Sequence, residues 1–215
     1  NIEMMMPIAK PFIKKCNVLV LDLPGFGLSD EPNEVWDIYE YADMVDYIRK
    51  ELKMGKSILI GHSFGGKISL AYSIKYDPVK TVLLASPFRK AITKKSIKTK
   101  ILKVMKKVPV VKKLEGYAKK HIGSTDYKNA SEQMRKVLVK HLNLDLSNDL
   151  DKVKCPTLLI WGTNDTAVPY EDGKYLENNI SNCGLVTYEE CTHYAYLERL
   201  NQTVSVLKSF INERG

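Results

Sequence analysis

Hydrophobic positions follow two alternating patterns along the chain. Residues 16–23 (CNVLVLDL) form a short aliphatic, β-branched run closed by Pro24-Gly25, the form a strand takes when both its faces are buried in a parallel sheet. Residues 35–52 then carry apolar and aromatic side chains at helical spacing until Gly55 stops them. Residues 57–60 (SILI) read as a second buried strand, followed at once by GHSFGG and a helical stretch, 67–76, that Pro78 limits. Residues 81–85, 155–161 and 184–188 give three further strands, with helical patterns at 170–179 and 201–212, and residues 5–15 open the chain as a short amphipathic helix. Strands alternating with helices predict the α/β class: a mostly parallel sheet with helices on both faces.

One stretch breaks the alternation. Residues 89–148 carry helical patterns only, including a polar helix near 131–141, which predicts a helical cap inserted into the α/β body. The expected organisation is a first core part at 1–88, the cap at 89–148, and a second core part at 149–215. Within the cap, Ile97, Ile101, Val104, Met105 and Val108 form an apolar stripe flanked by Lys98, Lys100, Lys103, Lys106 and Lys107, and Pro109 ends the helix.

Charge sharpens this division. The chain of 215 residues has a formal net charge of +8, yet residues 89–121 hold 13 Lys and Arg against the single acid Glu115, so the rest is net acidic. Such a helix suits a lid packed on a larger body, a membrane surface, or nucleic acid. The lid is the preferred reading, with membrane association the weaker alternative. Only Phe88 and Tyr117 stand near enough to stack on bases, so no nucleic-acid partner is expected. Composition is that of one globular domain, without Gly-x-y periodicity and without an apolar run of about 18 residues. Cys16, Cys155, Cys183 and Cys191 have no C-x-x-C spacing, which points to reduced thiols and a cytoplasmic protein.

The chemistry concentrates in three places. Gly61-His62-Ser63-Phe64-Gly65 matches G-x-S-x-G between a strand and a helix, the setting of a nucleophile elbow. There the glycines permit a sharp turn, and the Phe64 N–H at the helix start can donate to an oxyanion. A serine needs an imidazole base and an acid to orient it. Of the four histidines, His62 adjoins Ser63 but is expected to point away from its Oγ, and His121 and His141 fall in the cap. That leaves His193, in the loop after the last strand, as the base by position. The acid is expected at the C-terminal end of another strand, where Asp165 sits in WGTNDTAVP; Asp172 and Glu171 are the fallbacks. Simpler roles remain open for each: Ser63 as a helix cap, His193 as a surface-loop histidine, Asp165 as the organiser of the turn before Val168-Pro169.

Taken together, DLPGFGLSD (22–30), GHSFGG (61–66), TLLIWGTNDTAVP (157–169) and CTHYAYLER (191–199) resemble the α/β-hydrolase fold superfamily. The resemblance covers the body of the chain and leaves the cap unmatched. It implies Ser63 as nucleophile, Asp165 as acid and His193 as base, in the family's chain order, with Phe64 N–H as one oxyanion donor. A serine at the elbow resembles esterases, thioesterases, lactonases and C–C hydrolases rather than dehalogenases and epoxide hydrolases, which place Asp there.

The pattern departs from the family twice. The family has three strands and an H-G loop before the strand that here ends at Asp22, whereas this chain begins at Asn1 and offers 15 residues there. That loop supplies the second oxyanion N–H, so the expectation is that an N-terminal stretch is missing and that these residues alone are less stable and weakly active. Second, C–C hydrolases carry Arg shortly before the acid, where Thr163-Asn164 stand here. The expected function is therefore a serine hydrolase of the carboxylesterase type, cleaving an ester or related acyl bond through an acyl-enzyme. C–C hydrolase or thioesterase activity is the first alternative, and a non-catalytic or truncated binding protein the second. No metal or organic cofactor is expected. The substrate is a small acyl compound lying between body and cap, with Ile101, Met105 and Val108 as acyl contacts.

Overall fold

In the computed structural model, residues 1–90 and 130–212 are described. Four strands, β1 (Ile58–His62), β2 (Lys80–Leu84), β3 (Thr157–Gly162) and β4 (Cys183–Tyr188), form one parallel sheet in the order β1-β2-β3-β4. Leu83 stands opposite Leu159, and Leu159 opposite Leu185.

Period-two alternation sends neighbouring side chains into two separate cores. Leu59, Leu83, Leu159, Trp161 and Leu185 face one side, where helices α2 (Ile38–Glu51), α3 (Phe64–Tyr76), α4 (Glu132–Asn143) and α5 (Tyr170–Asn179) cover them. Ile60, Val82, Leu84, Leu158, Ile160 and Val186 face the other. There α1 (Ile2–Ala9), the short α6 (Ala195–Glu198) and α7 (Leu200–Asn212) pack on them through Ile8, Ala195, Tyr196 and Leu207. The central strands β2 and β3 are buried on both faces, which explains why their sequences are apolar runs rather than alternations, whereas β1 and β4 at the edges are half-buried. The parallel α/β sheet is thus as expected.

The start of helix α2 illustrates how sequence sets boundaries. Asp37 accepts from the N–H groups of Tyr39 and Glu40, and Glu40 reaches back to Asp37 N, a reciprocal cap. The helix is then joined to α3 by Asp46, buried between Arg49, Lys50 and the Tyr72 hydroxyl at 2.9, 2.7 and 2.9 Å. Burial opposes the Asp46 charge, but those three donors hold its pKa down to about 2.

One expectation changes. Residues 16–23, read above as a strand, form none: Val18 and Leu19 stay more than a third exposed, and no backbone hydrogen bond among the described residues joins 16–23 to β1. An aliphatic run becomes a strand only when a neighbouring strand takes up its N–H and C=O groups, and among the described residues no strand does. The segment is fixed at its end instead, where the Asp22 carboxylate accepts from Ile2 N at 2.7 Å and Leu28 N at 3.1 Å. Those backbone donors lower the Asp22 pKa.

Helix α4, which the sequence reading assigns to the cap, packs on the body. Met134 and Val137 are buried, Ser131 Oγ donates to Glu31 at 2.6 Å, and Lys140 Nζ donates to the Val35 carbonyl at 3.1 Å. A polar face with a narrow apolar stripe fits a helix lying on a surface as well as one inside a cap. Residues 91–129, with the proposed contacts Ile101, Met105 and Val108, lie outside the described residues. No helix among the described residues is long and apolar enough to cross a membrane.

Candidate active site

Strand β1 ends at His62, and the chain turns into α3 through Ser63, whose φ of 52° and ψ of −115° are unusual for a residue with a side chain. Such backbone costs on the order of 1–3 kcal/mol and persists only where its surroundings enforce it. Here the Ser63 N–H donates to Leu84 O at 3.0 Å and its carbonyl accepts from Lys67 N at 3.1 Å. The flanking glycines allow the approach: a Cβ on Gly61 would collide with the Gly65 carbonyl, and one on Gly66 with Ser86. The Ser63 hydroxyl makes no cap bond to α3, so the capping role does not apply. Phe64 N–H lies in the first turn of α3, where N–H groups have no intrahelical acceptor.

On the other side of the sheet, His193 Nδ1 lies 2.8 Å from Asp165 Oδ2. A carboxylate accepts, so Nδ1 carries a proton, and in the neutral ring that tautomer leaves the lone pair on Nε2. Asp165 itself is immobilised, because its other oxygen accepts from Ala167 N and Val168 N, both at 2.8 Å. It therefore organises the turn and orients the histidine together. Its side chain is fully buried, whereas that of His193 retains 15% exposure, so the imidazole edge reaches solvent. The fallback acids are engaged elsewhere: Asp172 with Arg89 Nε at 3.0 Å, and Glu171 with Lys174 at 3.1 Å. No hydrogen bond joins Ser63 Oγ to His193 among the described residues, but the ring of the adjacent His62 lies 4.7 Å from that of His193.

Three further residues make contacts that the sequence reading did not place. His62, expected only to point away from the serine, faces the His193 loop. His141, assigned to the cap, is buried on the body with its ring 4.6 Å from that of Phe64. Burial, followed by the neighbouring Lys67 charge, pulls its pKa down to about 3, and its Nδ1 has no hydrogen-bond partner. Lys67 is wholly buried, donating to the carbonyls of His141 at 2.8 Å and Leu144 at 2.6 Å, so an ammonium stands at the C-terminal end of α4. Desolvation lowers its pKa to about 8. The available signal was a lone Lys in the otherwise small and apolar run FGGKISLAY, because a helix without a polar face has nowhere exposed to put it. Among the described residues, no three His, Cys, Asp or Glu side chains come together as metal ligands would.

This arrangement of parallel sheet, strained serine turn and His–Asp pair agrees with what the chain resembles. Residues 1–109 match the family model described as alpha/beta hydrolase fold, and residues 133–213 match one described as TAP-like protein. The chain belongs to the α/β-hydrolase fold family. It is 27% identical over 215 residues to the uncharacterized hydrolase YugF of Bacillus subtilis, across 86% of this chain and 76% of that protein. It is 22% identical over 240 residues to a proline iminopeptidase of Lactobacillus helveticus, across 91% of this chain and 80% of that one. Among solved structures, an esterase (EaEST) from Exiguobacterium antarcticum superposes with a TM-score of 0.76 at 21% identity, covering 99% of this chain and 88% of its own.

Proposed function

We propose that this protein is a serine hydrolase that cleaves a carboxylic ester or related acyl bond through Ser63, His193 and Asp165. The observation that carries the proposal is the 2.8 Å bond from His193 Nδ1 to a buried carboxylate whose second oxygen is held by two backbone N–H groups. A surface-loop histidine needs no such support. In this reading His193 Nε2 removes the Ser63 proton as Oγ attacks the acyl carbonyl, and Asp165 fixes the imidazole tautomer and stabilises the imidazolium. The oxyanion of the tetrahedral intermediate accepts from Phe64 N–H. Collapse breaks the bond to the leaving alkoxide, which takes the proton from His193. Water, deprotonated by the same imidazole, then attacks the acyl-enzyme, releasing the acid and restoring Ser63.

The C–C hydrolase alternative is not favoured, because the two positions before the acid serve the loops. Thr163 Oγ1 accepts from Glu190 N at 2.8 Å, and Asn164 donates to Glu190 O at 3.3 Å. The test is intact-protein mass before and after a fluorophosphonate probe. A single adduct, absent from Ser63→Ala, is the expected result. No adduct on the folded protein would overturn the proposal in favour of a binding protein built on the fold.

A further inference from the structure

The residue before the nucleophile has no part in the proton relay, yet it is bonded to the residue that runs it. His62 Nε2 lies 2.9 Å from the backbone carbonyl oxygen of His193. A carbonyl only accepts, so Nε2 carries the proton and the ring is the neutral Nε2–H tautomer. The ring also packs on three others, those of His193, Tyr196 and Tyr194, with centroids at 4.7, 4.8 and 5.3 Å. Burial first, then the neighbouring His193, pulls the His62 pKa down to about 4, so the ring places no positive charge beside the base near neutral pH. The groups facing it are His193 with Asp165 behind it, and the phenols of Tyr194 and Tyr196.

Topology shows why such a bond matters. The elbow follows β1, at one edge of the described sheet, whereas the His193 loop follows β4, at the other, with β2 and β3 between. The loop is otherwise tied to the acid's side, through His193 to Asp165 and through Asn164 N to Cys191 O at 2.9 Å, and to α1, through the Tyr196 hydroxyl to Met4 O at 3.3 Å. Among the described residues, the His62 bond is the only hydrogen bond joining 191–199 to β1 or α3. Proton transfer between Oγ and Nε2 depends on their separation to within a fraction of an ångström, and neither the Asp165 nor the Asn164 bond sets it.

We propose that His62 is a positioning residue: its Nε2–H, bonded to the His193 carbonyl, clamps the loop that carries the base to the strand that carries the nucleophile. The proposal rests on the triad reading above, and its test separates the two. Rates of fluorophosphonate labelling are measured against pH for the wild type, His62→Phe and His62→Gln, with melting curves for each. Phe retains a ring to pack but donates nothing; it is expected to label about tenfold more slowly, the loss of roughly one hydrogen bond's worth of alignment, with a displaced pH midpoint. Gln presents an N–H at a similar reach and is expected to recover most of the rate and the wild-type midpoint. If the Phe variant melts early, His62→Asn, with an amide too short to reach, takes its place. Equal rates for Phe and wild type would overturn the clamp, as would Phe and Gln being equally slow with unmoved midpoints, the mark of lost packing alone. A wild type that does not label removes the triad reading, and the clamp with it.

Discussion

The two halves of the site are held in place by different physics. At the elbow, geometry is stored in the backbone: a positive φ at Ser63, enforced by the Leu84 carbonyl on its N–H, by the Lys67 N–H on its carbonyl, and by the close approaches at Gly61 and Gly66. At the His193 side, geometry is stored in hydrogen bonds between segments 28 residues apart, with Asp165 serving its own turn and the histidine at once. Strain keeps a local shape but is blind to what lies across the sheet, whereas hydrogen bonds between segments set distances and are lost one atom at a time. Ser63 is thus positioned by what precedes and follows it, and His193 by partners that the fold must bring to it.

Substitutions can separate the two kinds of support. The largest effect is expected from Asp165→Asn, which keeps an oxygen for the Ala167 and Val168 N–H groups but removes the charge and the tautomer control. Labelling by a fluorophosphonate should fall by roughly 10³- to 10⁴-fold near neutral pH with little change in melting temperature. A variant that labels within tenfold of the wild type would show that Asp165 only organises its turn.

A smaller effect, on stability, is expected at Lys67. Its folded pKa of about 8 lies below the ordinary 10.5, so the folded state binds fewer protons than the unfolded one between those values. Stability attributable to this group therefore rises as pH climbs from about 8 to 10.5 and is lost on the way down. Urea unfolding at pH 7 and pH 10 should show the wild type gaining on Lys67→Met by on the order of 2 kcal/mol at the higher pH. Parallel curves at both pH values would mean that the ammonium is well solvated. The tyrosines whose pKa values are also raised, such as Tyr41 and Tyr72, are common to both proteins and cancel in the difference.

At the elbow, Ser63→Gly and Ser63→Ala should both abolish labelling, but only glycine relieves the positive φ. Ser63→Gly is expected to be more stable than Ser63→Ala by about 1 kcal/mol in chemical denaturation. Equal stabilities would show that the turn is not strained. The smallest effect is expected at Asp46. Its pKa is held below the usual 3.8, so the stability it contributes is present above pH 4 and is lost as pH falls through about 2. Asp46→Asn should flatten the melting temperature across that window, and an unchanged slope would count against the Arg49, Lys50 and Tyr72 contacts.

Much of this was legible in the sequence where the signal is local. Four apolar runs became β1 to β4, most plainly β2 and β3, which are buried along their whole length and so are apolar throughout, and GHSFGG became a turn because only glycine tolerates the approach at Gly61 and Gly66. Residues 16–23 show the limit of that signal. Their composition is that of a strand, but hydrogen-bond partners are a property of neighbours rather than of the run itself. Lys67 and His141 escaped for the same reason: one-dimensional spacing does not say that the end of α4 lies over the start of α3.

The alternation of strands and helices, the serine turn, and the residue types present to act as base and acid could be read from the chain alone, since they follow from periodicity, backbone sterics and composition. Only the tertiary structure decided that Asp165, rather than Asp172 or Glu171, faces His193, that α4 rests on the body, and that His62 reaches across to the histidine loop. Each of those depends on the packing of segments far apart in the chain, and a contact of that kind is fixed by the arrangement of the whole sheet and not by the residues on either side of it.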